Sequence, residues 1–276
     1  MRNPLIASAL LMLATFSFLA TGCSGRFETA DEEAAKTIPD LSGVWEEANE
    51  RRHTAQDDIC GEPSCGALQN LPRPEPLIIT IEEPQMLPWA EEKYKAARPG
   101  IEDSNAFGPD ETNPWFSACI PSGPAGLMLS PFVAFELRQF PDVVLLLYGD
   151  DHAVRRVYMD GRRHPAGLKP TWMGHSIGRY DGDTLVVDTV GIHDTPWIDP
   201  QGHPHSDALH LIERIRRVNQ KSLEVEVTID DPKAYKKAWR KKIVRELRRS
   251  GNRIFEDVLC EELLRMGTHY SAEARK

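Results

Sequence analysis

The sequence predicts a mainly β fold: an antiparallel meander closing into a barrel of about eight to ten strands, with one short helix and long N-terminal loops. Three observations predict it. From Phe132 onward, strand-like apolar runs recur at intervals of roughly 10–15 residues, with no helical periodicity between them. Turn formers separate the runs, as in Gly149-Asp150-Asp151, Asp181-Gly182, Asn219-Gln220-Lys221 and Ser250-Gly251-Asn252. An open sheet of that many strands would leave two unpaired edges, and closure removes both.

The elements follow in chain order. Arg2 precedes an apolar stretch from Leu5 to Ala20 that runs into Thr21-Gly22-Cys23. The stretch is short for a membrane span and has the layout of a secretory signal. Its Leu19-Ala20-Thr21-Gly22-Cys23 ending resembles a bacterial lipobox, although Ala20 stands where that pattern prefers Leu. The resemblance implies that residues 1–23 are a lipoprotein signal peptide and Cys23 the lipidation site. Ser24 after it implies anchoring at the outer membrane, facing the periplasm, through acyl chains. The other reading is an ordinary cleaved signal with Cys23 as an incidental thiol.

Residues 24–40 are polar and acidic and read as a tether, followed by a single β-barrel domain over 41–276. Leu41–Trp45 reads as the first strand. Residues 49–76, with Cys60, Cys65 and Leu71-Pro72-Arg73-Pro74-Glu75-Pro76, read as an irregular excursion. Leu77–Glu82 is a strand, Pro84–Arg98 a helix opened by proline, and residues 99–125 a second excursion. Strands then run over Phe132–Phe140, Val143–Tyr148, Ala153–Met159, Trp172–Tyr180, Asp183–Ile192, Ala208–Val218, Ser222–Asp231, Tyr235–Leu247 and Arg253–Glu262. On Tyr235–Leu247, alternation places Lys237, Lys241 and Arg245 on one face with Tyr235, Trp239 and Ile243. That face suits anionic headgroups, or a charged strand whose long stems cover apolar surface.

Composition removes several classes. The 276 residues carry a net charge of −9, and the mean hydropathy of −0.43 excludes a polytopic membrane protein. Residues 24–150 hold 9 basic and 23 acidic side chains, and residues 151–276 hold 23 basic and 19 acidic. Neither half is a polyanion-binding surface, so nucleic acid is not expected as a partner. No P-loop, dinucleotide fingerprint or Gly-x-Ser-x-Gly elbow occurs, and no cofactor is expected. Export would leave Cys60, Cys65, Cys119 and Cys260 in an oxidising compartment, where an even number suggests disulfides in one of three connectivities. Cys60-Gly61-Glu62-Pro63-Ser64-Cys65 has the turn formers to close locally, leaving Cys119 with Cys260; metal ligation by the first pair is the rival reading.

Ser42-Gly43-Val44-Trp45 resembles the Gly-x-Trp start of lipocalin-like (calycin-type) barrels. The resemblance implies an Arg or Lys from the last strand over Trp45, with Arg248 or Arg253 available. The excursions at 49–76 and 99–125 depart from a compact lipocalin. Pro170–Thr189 is similar to a widespread set of secreted bacterial proteins without an assigned activity, which implies no chemistry.

Six of nine histidines fall between His164 and His210. If Asp181-Gly182 forms a type I′ turn, Tyr180 faces Asp183, and His175 faces Asp188 in a dyad suited to acid/base work. If Asn219-Gln220-Lys221 is a three-residue loop, His210 faces Asp230 and Arg214 faces Glu226. Glu213 then lies opposite Val227 on an apolar face, where a carboxylate must be paired or have a raised pKa. His203-Pro204-His205, with His193 and Asp194, offers zinc-type donors or a hydrogen-bonded loop. Two functions result. The first is an envelope lipoprotein whose barrel binds an apolar or amphipathic small molecule, with Tyr158, Trp172, His205 and His210 as contacts. The alternative is a cofactor-independent acid/base enzyme, an isomerase, lyase or hydrolase, using His175, Asp188 and an interior Glu213.

Overall fold

A computed structural model of the chain describes residues 38–47, 78–103, 106–109, 112–131, 133–248 and 260. Ten strands are present: β1 (Gly43–Glu47), β2 (Ile78–Thr80), β3 (Phe135–Gln139), β4 (Val143–Tyr148), β5 (Val154–Tyr158), β6 (His175–Asp181), β7 (Thr184–Val190), β8 (His210–Arg217), β9 (Ser222–Asp230) and β10 (Trp239–Leu247). Nine of them form a ring, in the order β1-β3-β4-β5-β6-β7-β8-β9-β10, and β1 pairs again with β10 to close it. The strand β2 lies outside the ring, paired to the first half of β10. The barrel is therefore closed, as predicted.

Alternation drives it. Burial along β4 and β9 switches at every residue, so each strand presents one apolar row inward. Leu137, Leu146, Val157, Leu185, Val187, Leu211, Ile215, Val225, Val227 and Ile229 are fully buried in one cluster. Each such side chain stabilises the fold by roughly 1.5–3 kcal/mol relative to exposure.

The meander is interrupted once. β5 and β6 run parallel and share only the pairs Val157 with Ser176 and Tyr158 with Ile177. Parallel neighbours need a crossover, here residues 159–174, which returns the chain to the end where β5 began. That end also carries the β7–β8 connection, the β9–β10 connection and the long β1–β3 segment. The opposite end is closed by the short β3–β4, β6–β7 and β8–β9 hairpins.

The helix predicted over Pro84–Arg98 is α1 (Pro88–Ala96), with proline in its first turn. The excursion at 99–125 is not all loop: it holds α2 (Pro114–Ala118) and the start of α3 (Gly123–Leu129). Pro124 and the apolar run Leu127-Met128-Leu129 are buried in α3. Arg245 from β10 reaches this helix and donates to the carbonyl oxygens of Met128 at 2.8 Å and Ser130 at 2.6 Å. The last carbonyls of a helix lack partners within it, so a buried guanidinium fits there. Lys241 is buried too. The alternate face of β10 thus points inward from Trp239 onward and offers no headgroup-binding strip.

Two smaller expectations change. Among the described residues, Arg217 on β8 lies over Trp45 at 5.3 Å. Arg248 instead donates to Glu46 at 2.6 Å, and Arg253 lies outside the described residues. Cys119 is bonded to Cys260, with Cα atoms 5.6 Å apart. Cys260 is helical rather than extended. Residues 1–37, with Cys23 and the predicted signal peptide, the excursion predicted at 49–76 with Cys60 and Cys65, and the remainder of the strand expected over Arg253–Glu262 lie outside the described residues. Among the described residues, no helix is long and apolar enough to cross a membrane.

Candidate functional site

The β6–β7 hairpin decides which residues meet. Its central pair is Gly182-Asp183, one residue later than expected, and Asp181 faces Thr184. Gly182 has φ +62° and Asp183 does not adopt a positive φ, so the turn places glycine first, as a type II′ turn requires. Moving the turn by one residue moves every partner by two. His175 therefore faces Val190, and Asp188 faces Ile177. A shift of two preserves the faces, so His175 and Asp188 remain together on the outer surface, one row apart.

A third residue bridges them. His164, from the crossover, lies 2.8 Å from His175 (Nδ1 to Nδ1) and 3.0 Å from Asp188 (Nε2 to Oδ1). His210 at the start of β8 places its Nε2 2.8 Å from the same Asp188 oxygen. Proton positions follow from the partners. An ionised carboxylate only accepts, so His164 and His210 each carry a proton on Nε2. When His164 is neutral it accepts at Nδ1, and His175 donates from its own Nδ1. The bare nitrogen of His175 is Nε2. The result is a relay from Asp188 through His164 to His175, in which all three side chains are partly exposed. Tyr158 completes it, stacked on His175 with centroids 5.4 Å apart. Burial above all, with the charge of Arg162 adding to it, holds His175 below the ordinary histidine pKa, so it is neutral at pH 7.

Glu213 does not belong to this group. The β8–β9 register is the predicted one, with His210 facing Asp230 and Glu213 facing Val227. Glu213 points into the barrel, where Arg155 of β5 grips both its oxygens, one of them at 2.9 Å. Arg155 also donates to Ser176 at 3.1 Å and Thr189 at 2.8 Å. Arg155 and Glu213 are fully buried and mutually paired, which is a structural ion pair rather than a free acid. Burial above all, with Glu213 nearby, pushes the phenol of Tyr148 up to about 12. Sequence reasoning missed Arg155, yet its signal was there: it shares the inward phase of Val157.

The loop histidines separate as well. His203 is buried with Asp199, Nδ1 to Oδ2 2.8 Å, and Lys241 reaches the same carboxylate at 2.6 Å. Burial opposes ionisation of Asp199, but His203 and Lys241 outweigh it and hold the carboxyl far below the usual range. His205 is buried, with Nδ1 3.0 Å from the Ser206 carbonyl oxygen. Trp172 lies tilted against His193, with centroids 4.4 Å apart. Among the described residues, no group of three or more His, Cys, Asp or Glu side chains is arranged to hold a metal ion. The structure thus brings together His175, Asp188, His210 and Tyr158 of the predicted set, adds His164, and places Glu213, His205 and Trp172 elsewhere. The crossover holding His164 pairs with no strand, so strand register has no means of placing it.

Compared with known proteins, the chain matches no family model, no curated protein and no solved structure.

Proposed function

We propose that this protein is a cofactor-independent acid/base catalyst whose general base is His175 Nε2, an isomerase, lyase or hydrolase working at the rim of the barrel. The observation that supports it is the continuous chain Asp188–His164–His175, with contacts of 3.0 and 2.8 Å. Taking a proton at Nε2 turns His175 into an imidazolium. Its Nδ1–H then donates more strongly to His164, and the Asp188 charge opposes the new positive charge through that ring. His210 holds the carboxylate from the far side, and Tyr158 fixes the plane of the His175 ring. The leader and Cys23 favour a lipid-anchored envelope location for this chemistry.

The binding reading has less support. It requires a hollow barrel, whereas the inward side chains Leu146, Val187, Ile215, Val227 and Ile229 have no exposed surface. That is the condition of a packed core.

Long-range proton–nitrogen NMR tests the base directly. At pH 7.5 His175 is expected as the Nδ1–H tautomer, and Asp188→Asn or His164→Ala is expected to change that tautomer balance. A His175 protonated on Nε2 would end the assignment. On a panel of small esters, lactones and carbonyl compounds in D2O, His175→Ala is expected to lower hydrolysis or deuterium uptake by about 10²–10⁴-fold. The wild-type rate should rise with pH through an apparent pKa below 6.5 and level off near neutrality, because the base works only when unprotonated.

A further inference from the structure

Resting on that base assignment, we propose that Arg162 is the substrate-recognition residue of the rim site, and that the substrate is a small soluble molecule with an anionic oxygen group, a carboxylate or phosphate. Asp160-Gly161-Arg162 makes a tight turn with φ +75° at Gly161. Arg162 folds back, donating from Nε to both Asp160 oxygens at 2.8 and 3.0 Å. Its guanidinium carbon lies 3.8 Å from the centroid of the Tyr158 ring. That is the ring stacked on His175.

An arginine side chain in solvent samples many rotamers, and holding it still costs entropy. Here two restraints, a carboxylate and an aromatic face, fix an arginine whose side chain is still 43% exposed. Such restraints do little for stability at an exposed site. Their effect is positional. Nε and Nη2 face Asp160, and Nη1 has no hydrogen-bond partner among the described residues. The open edge of a planar guanidinium is suited to two oxygens of one anion. The crossover reinforces this, because it carries three cations, Arg162, Arg163 and Lys169, and a single carboxylate residue, Asp160.

The groups around His175 are accounted for. His164 comes from the crossover, Asp188 of β7 acts through His164, Tyr158 comes from β5, and Arg162 is the cation whose charge reaches the ring. Arg162 disfavours the imidazolium, so an anion bound to Arg162 relieves that effect. Binding and protonation of His175 are therefore linked, and each must report the other.

The experiment titrates the full chain with inorganic phosphate at constant ionic strength, following the His175 side-chain resonances by NMR across pH. Wild type is expected to show a saturable displacement and an upward move of the His175 titration midpoint. In Arg162→Gln the midpoint is expected to start higher and the phosphate response to disappear, while Arg163→Gln keeps most of it. An undiminished response in Arg162→Gln, or no saturable response in wild type, overturns the proposal. A response to phosphatidylglycerol vesicles without one to inorganic phosphate also overturns it, because the ligand is then a lipid surface. The same spectra report the His175 tautomer. An Nε2–H tautomer together with an Arg162-dependent phosphate response would remove the base and leave the anion site standing.

Discussion

At the scale of single residues, the barrel interior shows why one carboxylate can be buried and still be quiet. Glu213 sits among Val and Leu side chains, and an unpaired charge there would lose several kcal/mol of hydration. Arg155 takes both of its oxygens, while Ser176 and Thr189 accept two more of its N–H donors. Glu213→Ala is therefore expected to destabilise the protein by about 3–5 kcal/mol, since it strands a buried cation. Replacing both partners with apolar residues, Arg155→Met with Glu213→Leu, should recover most of that loss; urea denaturation of the single and double variants checks it. His205 gives a residue-scale pH effect. Burial holds its folded pKa below the ordinary value near 6.5, so the unfolded chain binds the proton first. The corresponding stability is complete above pH 6.5 and falls as the pH drops through that value toward the folded pKa. His205→Asn is expected to flatten the stability profile between pH 5 and 7, and an unchanged slope would contradict it.

At the scale of elements, the β5–β6 seam constrains the sequence tightly. A Cβ added to Gly178 on β6 would lie 2.7 Å from Val157 Cγ1 and 2.6 Å from Met159 Sδ. The thioether can swing aside, but the β-branched valine has little freedom at χ1. Gly178→Ala is thus expected to cost about 1–3 kcal/mol through overpacking, read as a lowered urea midpoint with an unchanged slope. The same seam marks the boundary of what strand patterns reveal. Alternation located β3 to β10 and the β8–β9 register, because a one-residue slip there would have turned Glu224, Glu226 and their neighbours inward. It could not reveal the parallel pairing of β5 with β6, which depends on how a sixteen-residue crossover packs. The β6–β7 turn misled for a local reason: Asp181-Gly182-Asp183 supports glycine as the second turn residue or, one step along, as the first. Both choices keep His175 and Asp188 on one face, so the pair was legible as neighbours although not as partners. His164, which joins them, was visible only as part of a histidine-rich stretch.

At the scale of the whole molecule, closure depends on contacts far apart in the chain. The ring is completed where Trp45 of β1 faces both Phe135 of β3 and Leu247 of β10, joining the first strand to the last. Such long-range pairing gives little stabilisation until the chain between has been ordered. The bond between Cys119 and Cys260 spans a separation of 141 residues that includes every strand from β3 to β10. A cross-link of that span removes unfolded-chain entropy worth about 4–5 kcal/mol in the chain-entropy treatment. The double substitution Cys119→Ser with Cys260→Ser is expected to lower stability by about 2–5 kcal/mol. Its effect should fall on the cooperative unfolding of the whole barrel, seen as one urea transition at a lower midpoint by both tryptophan fluorescence and circular dichroism. The rim site should be untouched under native conditions, because His164, His175, Asp188 and His210 are positioned by β6, β7, β8 and the crossover rather than by α2. Unchanged His175 resonances beside a lowered midpoint would separate the covalent tie from the site. A native protein with perturbed His175 resonances would show that the tie also shapes the rim, and an unchanged midpoint would show that β1–β10 pairing closes the barrel without it.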